Sequence, residues 1–143
     1  MGCESLASSR GLYVLLIALD SAVEFRGARL EPGIYLYLGS AGGPGGLRGR
    51  ICRHAGRRRR PHWHVDHLLD AGRLVGAYIR EGPSGPSAER ELAEALARVL
   101  QEAISGFGNT DTGGPSHLFR LDPDVDPASI LGSGWRYVDL TRR

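Results

Sequence analysis

Apolar positions in the first third of the chain predict two neighbouring strands. Residues 11–19 form an apolar run bounded by glycine and Asp20, and so short a run favours a strand buried on both faces. Residues 34–38 alternate between tyrosine and aliphatic side chains, which places Tyr35 and Tyr37 on one face of a second strand. A short mixed segment with a turn signal at residues 31–33 separates the two runs. We therefore predict an antiparallel pair of strands.

From Leu47 onwards the pattern of side chains becomes helical. Basic side chains then recur at intervals of three and four residues, which places them on one helical face: Arg50, Arg53, His54 and Arg57. We expect this face to lie on solvent or on a polyanion. The helix should end before Pro61, because the residue that precedes a proline is pushed out of the helical region.

Residues 86–104 form the longest predicted helix. Its apolar positions recur at helical spacing and define a buried stripe: Leu92, Leu96, Val99, Leu100 and Ala103. Glu89 lies one turn before this stripe and in line with it. A carboxylate at such a position costs free energy unless it is paired or binds a metal. The alternative is an exposed first turn, in which Glu89 stays hydrated.

The remaining pattern completes a mixed α/β (α+β) domain. It predicts a short helix at residues 62–69, a strand at 74–79, and two further strands at 116–121 and 135–140 with a helical turn between them. We predict a flexible N-terminus over residues 1–10 and a single domain over residues 11–143. The domain should contain a small antiparallel central sheet of about three strands, flanked by helices.

Composition excludes some classes of protein. The chain has an ordinary hydrophobic content of 41% and no apolar run long enough to span a membrane. Its N-terminus lacks the basic and apolar segments of a signal peptide, so we expect a cytoplasmic protein. Two cysteines, Cys3 and Cys52, cannot form a four-thiolate zinc site, and a reducing compartment disfavours a bridge between them.

Positive charge is concentrated in one segment. All 18 basic residues are arginine, and seven of them lie between residues 48 and 60. A genome rich in G and C explains the missing lysine but not this clustering. Because the planar arginine fork suits phosphate recognition, we predict contacts with nucleic acid from six side chains: Arg48, Arg53, Arg57, Arg58, Arg59 and Arg60.

Other chemistries have weaker support. A histidine-rich segment offers potential zinc ligands: His62, His64, Asp66 and His67. Its spacing matches no established zinc motif, and further ligands such as Asp111 or His117 would come from distant positions. The glycine-rich loop at residues 39–46 fits neither the P-loop nor the dinucleotide fingerprint. Ser116, His117 and Asp111 lack the elbow sequence of a serine hydrolase.

Several segments resemble the motifs of the GIY-YIG nuclease superfamily. Gly11-Leu-Tyr13 and Tyr37-Leu-Gly39 are similar to the two tripeptides for which it is named. Residues 50–54 resemble its arginine helix, with His54 one turn after the arginine. The helix that contains Glu89 is similar to the helix that supplies its metal-binding glutamate.

Over residues 11–121 the joint spacing resembles one prokaryotic group, the uncharacterised family called domain of unknown function 123, which occurs alone or joined to endonuclease III-like proteins. The strings that carry this resemblance include Tyr37-Leu-Gly-Ser-Ala41, His62-Trp-His-Val-Asp66, Gly106-Phe-Gly108 and Ser116-His-Leu-Phe119.

The chain departs from these patterns at a few positions. Leu12 replaces isoleucine, and the long gap between the two tyrosine motifs implies an insertion between the paired strands. Thr112 and Gly114 occupy positions where the family often has cysteines, which disfavours a thiolate metal site there. Asn109 is only a candidate for the asparagine that the superfamily places near its site.

The resemblance implies a hydrolase that cleaves phosphodiester bonds with a divalent metal, Mg²⁺ or Mn²⁺. Glu89 would bind the metal, Arg50 would bind the phosphate, and Tyr13, Tyr37 or His54 would activate water. DNA is the expected partner rather than RNA, in repair or processing, with a functional link to an endonuclease III-like protein. The alternative is a non-catalytic nucleic-acid-binding module on the same fold.

Overall fold

The computed structural model describes residues 2–25, 27–56, 64–104 and 116–141. In these residues a 3₁₀ turn, Cys3–Ser5, precedes strands and helices with the following bounds. The strands are β1 (Gly11–Leu19), β2 (Val23–Phe25), β3 (Ala28–Leu30), β4 (Gly33–Ala41), β5 (Arg73–Glu81), β6 (Gln101–Glu102), β7 (Leu118–Arg120) and β8 (Arg136–Asp139). The helices are α1 (Gly46–Ala55), α2 (His64–Ala71), α3 (Pro86–Ala97) and α4 (Pro127–Leu131).

A mixed α+β architecture with an antiparallel sheet is confirmed. The described sheet has six strands in the order β6-β7-β4-β1-β5-β8, and each neighbouring pair is antiparallel. The prediction of about three strands in the sheet was wrong. The strands predicted at residues 116–121 and 135–140 belong to this sheet as β7 and β8. Strand β6 has two residues and lies within the segment predicted as helix, so no hydrophobic period identified it.

The long segment between the two tyrosine motifs contains a separate ribbon. Here β2 and β3 pair with each other in a two-stranded sheet outside the main one. This ribbon occupies the segment in which the spacing of the motifs predicted an insertion. It leaves the pairing of β1 with β4 continuous over all nine residues of each strand.

Helices cover both faces of the sheet. Alternation along β1 directs Tyr13 and Leu15 towards the face on which α1 and α2 pack, and Leu12 and Val14 towards the face on which α3 and α4 pack. In β4, Tyr35 and Tyr37 share the first of these faces, as the sequence predicted. The tyrosine pair therefore lies beneath the arginine-bearing helix.

Helix α3 is shorter than predicted. It ends at Ala97 rather than at residue 104, and Val99 is 60% exposed instead of belonging to the buried stripe. The chain turns because the backbone N–H groups of Val99 and Leu100 both donate to the carbonyl of Leu96. Residues beyond the turn pair with β7. The predicted helix stop, Gly106-Phe-Gly108, lies outside the described residues.

The N-terminal segment, predicted as flexible, contacts the start of α1. The backbone N–H groups of Leu47 and Arg48 donate to the carbonyls of Ser9 and Ala7, at 2.8 and 3.1 Å. A Cβ atom on Gly46 would lie 2.0 Å from the Ser8 carbonyl oxygen, so only glycine fits this approach. The first turn of α1 is thereby satisfied by the protein's own backbone.

A disulfide joins Cys3 to Cys52, whereas the sequence disfavoured this bridge. The Cα atoms lie 5.2 Å apart, because the 3₁₀ turn packs beside α1. Within the described part of the chain, no helix has both the length and the apolarity needed to cross a membrane.

Candidate active site

The register of β1 and β4 brings the tyrosine pair together. Tyr13 is opposite Gly39, and Tyr37 is opposite Leu15. The two tyrosines are therefore diagonal neighbours on one face of the sheet. A Cβ atom on Gly39 would lie 2.5 Å from the Tyr13 hydroxyl oxygen. The second tyrosine motif ends in glycine because the ring of Tyr13 lies over Gly39.

A set of polar side chains, the inner cluster, extends from Tyr13 into the protein: Tyr13, His54, Asp66 and Arg53. The Tyr13 hydroxyl oxygen lies 3.1 Å from Nε2 of His54. On the other side of the ring, Nδ1 of His54 lies 3.7 Å from Oδ1 of Asp66. Arg53 donates to both oxygens of Asp66, at 3.2 and 3.3 Å. Helices α1 and α2 are thus joined by a charged pair behind the tyrosine.

The inner cluster corrects the expectation that this face of α1 lies on solvent or a polyanion. His54 is 2% exposed and Asp66 is 0% exposed. Arg53, predicted to contact nucleic acid, directs its guanidinium at Asp66, because a buried carboxylate is costly without a cationic partner. Arg48 is exposed, whereas Arg57 and residues 58–60 lie outside the described residues.

A second set, the outer cluster, lies at the end of β4: Ser40, Arg50, Glu89 and His117. One guanidinium N–H of Arg50 donates to the Ser40 carbonyl at 3.0 Å. The Ser40 hydroxyl donates to Oε2 of Glu89 and accepts from the Gly85 backbone N–H at 3.2 Å. Ser40 therefore ties Arg50 on α1 to Glu89 on α3, although these helices cover opposite faces of the sheet.

Glu89 lies in the first turn of α3 and is 20% exposed, so it is neither fully buried nor fully hydrated. Its Oε1 atom lies 3.8 Å from Nδ1 of His117. The ring centroid of His117 is in turn 6.5 Å from that of Tyr37. The second tyrosine is therefore adjacent to the outer cluster, whereas the first is hydrogen-bonded to the inner one.

This order of motifs corresponds to a known family. The family model described as "Domain of unknown function DUF123" matches residues 12–134. The chain belongs to the DUF123 family. Neither the curated proteins nor the solved structures contain a match to it.

Burial controls the titration of this DUF123 site. It raises the pKa of the Tyr13 hydroxyl to about 12, and the charge and hydrogen bond of Arg50 oppose this only in part. It also holds the pKa of Tyr37 well above its ordinary value. Burial lowers the pKa of His54 despite the neighbouring Asp66, and lowers the pKa of His117 to about 4. At neutral pH both tyrosines are protonated and both histidines are neutral.

The outer cluster offers one carboxylate, that of Glu89, as a ligand for a hard divalent cation. Glu89 offers a partly exposed carboxylate, and the hydroxyl of Ser40 orients it. Mg²⁺ commonly binds through one or two carboxylates, with water and substrate phosphate completing its shell. Glu89, the residue expected to bind metal, therefore has a carboxylate that is partly accessible to solvent.

The zinc hypothesis has less support. Among the residues that the structure describes, no group of three or more His, Cys, Asp or Glu side chains could hold a metal. Asp66 pairs with Arg53, and the ring of His67 lies 5.7 Å from that of Phe25. His62 and Asp111 lie outside the described residues.

Sequence reasoning missed the roles of Ser40, Asp66 and His117 in the geometry of this site. Asp66 carried a usable signal, since it precedes the buried Leu69 by three residues and so lies on the apolar face of α2. Ser40 carried none, because half of its role depends on its backbone carbonyl. His117 was considered only as a distant zinc ligand or a member of a hydrolase triad.

Proposed function

We propose that this DUF123 domain is a metal-dependent nuclease of the GIY-YIG type, which hydrolyses phosphodiester bonds in DNA. One observation carries the proposal. Tyr13, Tyr37, Arg50 and Glu89, which come from four different elements, are gathered around the end of β4 by the register of the sheet and the hydrogen bonds of Ser40. The choice of DNA follows the resemblance to the superfamily.

Glu89 would hold a divalent cation, Mg²⁺ or Mn²⁺. When bound, the cation would supply charge stabilisation at the scissile phosphate and the leaving oxygen. The chain's own contribution is orientation, because the Ser40 hydroxyl fixes one carboxylate oxygen of Glu89. Glu89 also lies in the first turn of α3, where the helix dipole stabilises negative charge.

Arg50 would bind a non-bridging oxygen of the phosphate. One of its N–H groups donates to the Ser40 carbonyl, which fixes the direction of the planar fork. A guanidinium carries five N–H donors, so others can face a phosphate. A cation held in place before the reaction stabilises charge that develops in the transition state.

Tyr13 is the better candidate for activating water, because a proton acceptor is already beside it. Water would give a proton to the Tyr13 oxygen as the Tyr13 proton moves to Nε2 of His54, 3.1 Å away. The hydroxide oxygen would form the new bond to phosphorus, the bond to the leaving oxygen would break, and a proton from a solvent water would convert that oxygen to a hydroxyl. This transfer avoids a free tyrosinate, which burial makes costly through the raised pKa of Tyr13.

Tyr37 would then position the attacking water rather than deprotonate it. Burial raises the pKa of Tyr37 well above its ordinary value. Its ring neighbour His117 lies against Glu89 at the outer cluster. A protonated phenol in this place can donate to or accept from water without changing its charge.

The arginines at residues 48 and 57–60 would contact phosphates along the DNA without recognising its sequence. Such binding weakens steeply with salt. A functional link to an endonuclease III-like protein, implied by the family resemblance, would place the activity in DNA repair or processing.

Nicking of a supercoiled plasmid in Mg²⁺ or Mn²⁺ tests the proposal. Wild type should nick, and Glu89→Ala should lose activity by about 10³-fold, since several kcal/mol of charge stabilisation disappear. Glu94→Ala is the matched control on α3, because Glu94 is exposed and pairs only on the surface with Arg90. Undiminished nicking by Glu89→Ala would remove Glu89 from the mechanism. Binding without cleavage of any plain, branched or damaged DNA would identify a non-catalytic binding module instead.

A further inference from the structure

We infer that Asp66 is a positioning residue for the proposed reaction: it holds His54 in the tautomer that can accept the proton of Tyr13. The inference rests on the proposed nuclease function, but its structural part concerns the inner cluster alone. Asp66 belongs to α2, which supplies none of the residues assigned above to metal, phosphate or water.

The geometry of the imidazole ring carries the inference. A neutral histidine has one N–H donor and one acceptor nitrogen. Nδ1 of His54 lies 3.7 Å from Oδ1 of Asp66, and Nε2 lies 3.1 Å from the Tyr13 hydroxyl. At 3.7 Å the contact with Asp66 is electrostatic rather than a hydrogen bond. The negative carboxylate still favours the proton on Nδ1, which leaves the lone pair on Nε2 facing Tyr13. The opposite tautomer would direct an N–H at the hydroxyl and could accept nothing from it.

Arg53 supports the positioning role of Asp66, because its guanidinium stabilises the negative charge of the carboxylate. A carboxyl group with 0% exposure would tend to become protonated and neutral. The two hydrogen bonds from Arg53 favour its ionised form instead. Among the residues that the structure describes, the titratable or charged groups that face His54 are Tyr13 on β1, Arg50 and Arg53 on α1, and Asp66 on α2.

The same arrangement would stabilise the product of the proton transfer. When Nε2 of His54 gains the Tyr13 proton, the ring becomes a cation in a buried site. A cation there is costly without an opposite charge. The Asp66 carboxylate lies on the far side of the ring and supplies that charge. Asp66 thus acts through His54 and does not contact the reacting atoms.

A purely structural role is the competing explanation, since the Arg53–Asp66 pair also joins α1 to α2. The two explanations predict different results for Asp66→Asn, which keeps the size of the side chain and removes its charge. A structural role changes only stability. A positioning role changes the tautomer of His54 and the rate of the chemical step while substrate affinity stays the same.

The experiment is nitrogen-15 NMR of the histidine rings near pH 7.5, on wild type, Asp66→Asn and Asp66→Glu. We expect His54 to carry its proton on Nδ1 in wild type, to shift towards the Nε2-protonated form in Asp66→Asn, and to recover in part in Asp66→Glu. Asp20→Asn is the matched control, because Asp20 forms a similar two-bond pair with Arg73 on the exposed surface. Wild-type His54 protonated on Nε2 would overturn the inference without any variant, as would an unchanged tautomer in a folded Asp66→Asn protein.

Single-turnover plasmid cleavage supplies the second measurement. Asp66→Asn should lower the rate at saturating DNA by about 100-fold with little change in the DNA concentration at half-maximal rate. Asp66→Glu should recover part of the lost cleavage rate, and the rate of Asp20→Asn should match that of wild type. An unchanged rate in Asp66→Asn would overturn the positioning role. Failure of the wild-type protein to cleave would contradict the proposed function, while the NMR result would still decide whether Asp66 sets the tautomer.

Discussion

The inner and outer clusters meet at the tyrosine pair, but they differ in access to solvent. The centre of the inner cluster is closed, since His54 and Asp66 are almost without exposed surface behind Tyr13, and only its outer member Arg53 reaches solvent. The outer cluster is partly open, because Glu89 retains exposed surface at the end of β4. The first arrangement suits a histidine that must stay neutral until it accepts a proton. The second suits groups that must reach a cation and a phosphate.

This difference in solvent access would separate two tasks of the proposed nuclease: binding a cation and a phosphate, and accepting a proton. A phosphate and a hydrated cation need room, and the residues proposed to bind them lie at the end of β4, between α1 and α3. A histidine that accepts a proton from a tyrosine gains from a dry setting, in which its pKa stays low and it remains neutral. We therefore expect changes in the two clusters to have different consequences.

Among the changes that compare the two tyrosines and the two clusters, Tyr13→Phe should have the largest effect. This change removes the hydroxyl that links the two clusters, so we expect cleavage to fall by at least about 100-fold while affinity for DNA is retained. Tyr37→Phe, the matched change on the same face, should lower the rate less. Cleavage of linear labelled DNA under single-turnover conditions measures both. A larger loss in Tyr37→Phe than in Tyr13→Phe would reverse the assignment of the two tyrosines.

The next effect concerns stability at low pH in the outer cluster. Burial lowers the folded-state pKa of His117 to about 4, below its ordinary value near 6.5. Since the unfolded chain binds this proton more readily, stability should fall as pH drops from about 6.5 to 4, by up to about 3 kcal/mol. Urea unfolding across this range should show a shallower fall in His117→Gln. The exposed His67→Gln should behave as wild type, and equal slopes in all three proteins would contradict the prediction.

The smallest effect is expected from Gly39→Ala. The added Cβ would collide with the Tyr13 hydroxyl, which should cost about 1–3 kcal/mol of unfolding free energy through overpacking. Gly43→Ala is the control, because no atom lies within 4 Å of a Cβ built there. Thermal unfolding compares the two variants. Equal stability would mean that the Tyr13 ring does not rest on Gly39.

The long elements of the fold could be predicted because their patterns are long. The strands β1, β4 and β5 each have nine residues, enough for the bounding turns and the alternation to be recognised. Strands β7 and β8 were also predicted, although longer than they are, whereas β6 has too few residues for a pattern. The pairing of these short strands is a property of the assembled sheet. Helix α3 ended early because pairing with β7 replaced a helical continuation that the apolar spacing alone favoured.

The sequence predicted individual residues of the candidate site but not the contacts between them. Glu89 and Arg50 were identified by their helical positions and by resemblance. The burial of His54 was missed, because three nearby arginines gave its face a polar pattern while the sheet covered it. The Arg53–Asp66 pair joins residues on two different helices, and its partners follow from how α1 and α2 pack.

The central claim is that Glu89 holds a divalent cation at the open end of this site. A crystal of the wild-type protein soaked in Mn²⁺ tests it directly, with a crystal of Glu89→Gln treated in the same way as the control. We predict an anomalous peak about 2.1 Å from a carboxylate oxygen of Glu89, and its loss in the variant. A wild-type map without a peak beside Glu89 at saturating Mn²⁺, or a peak that persists unchanged in Glu89→Gln, would contradict the claim.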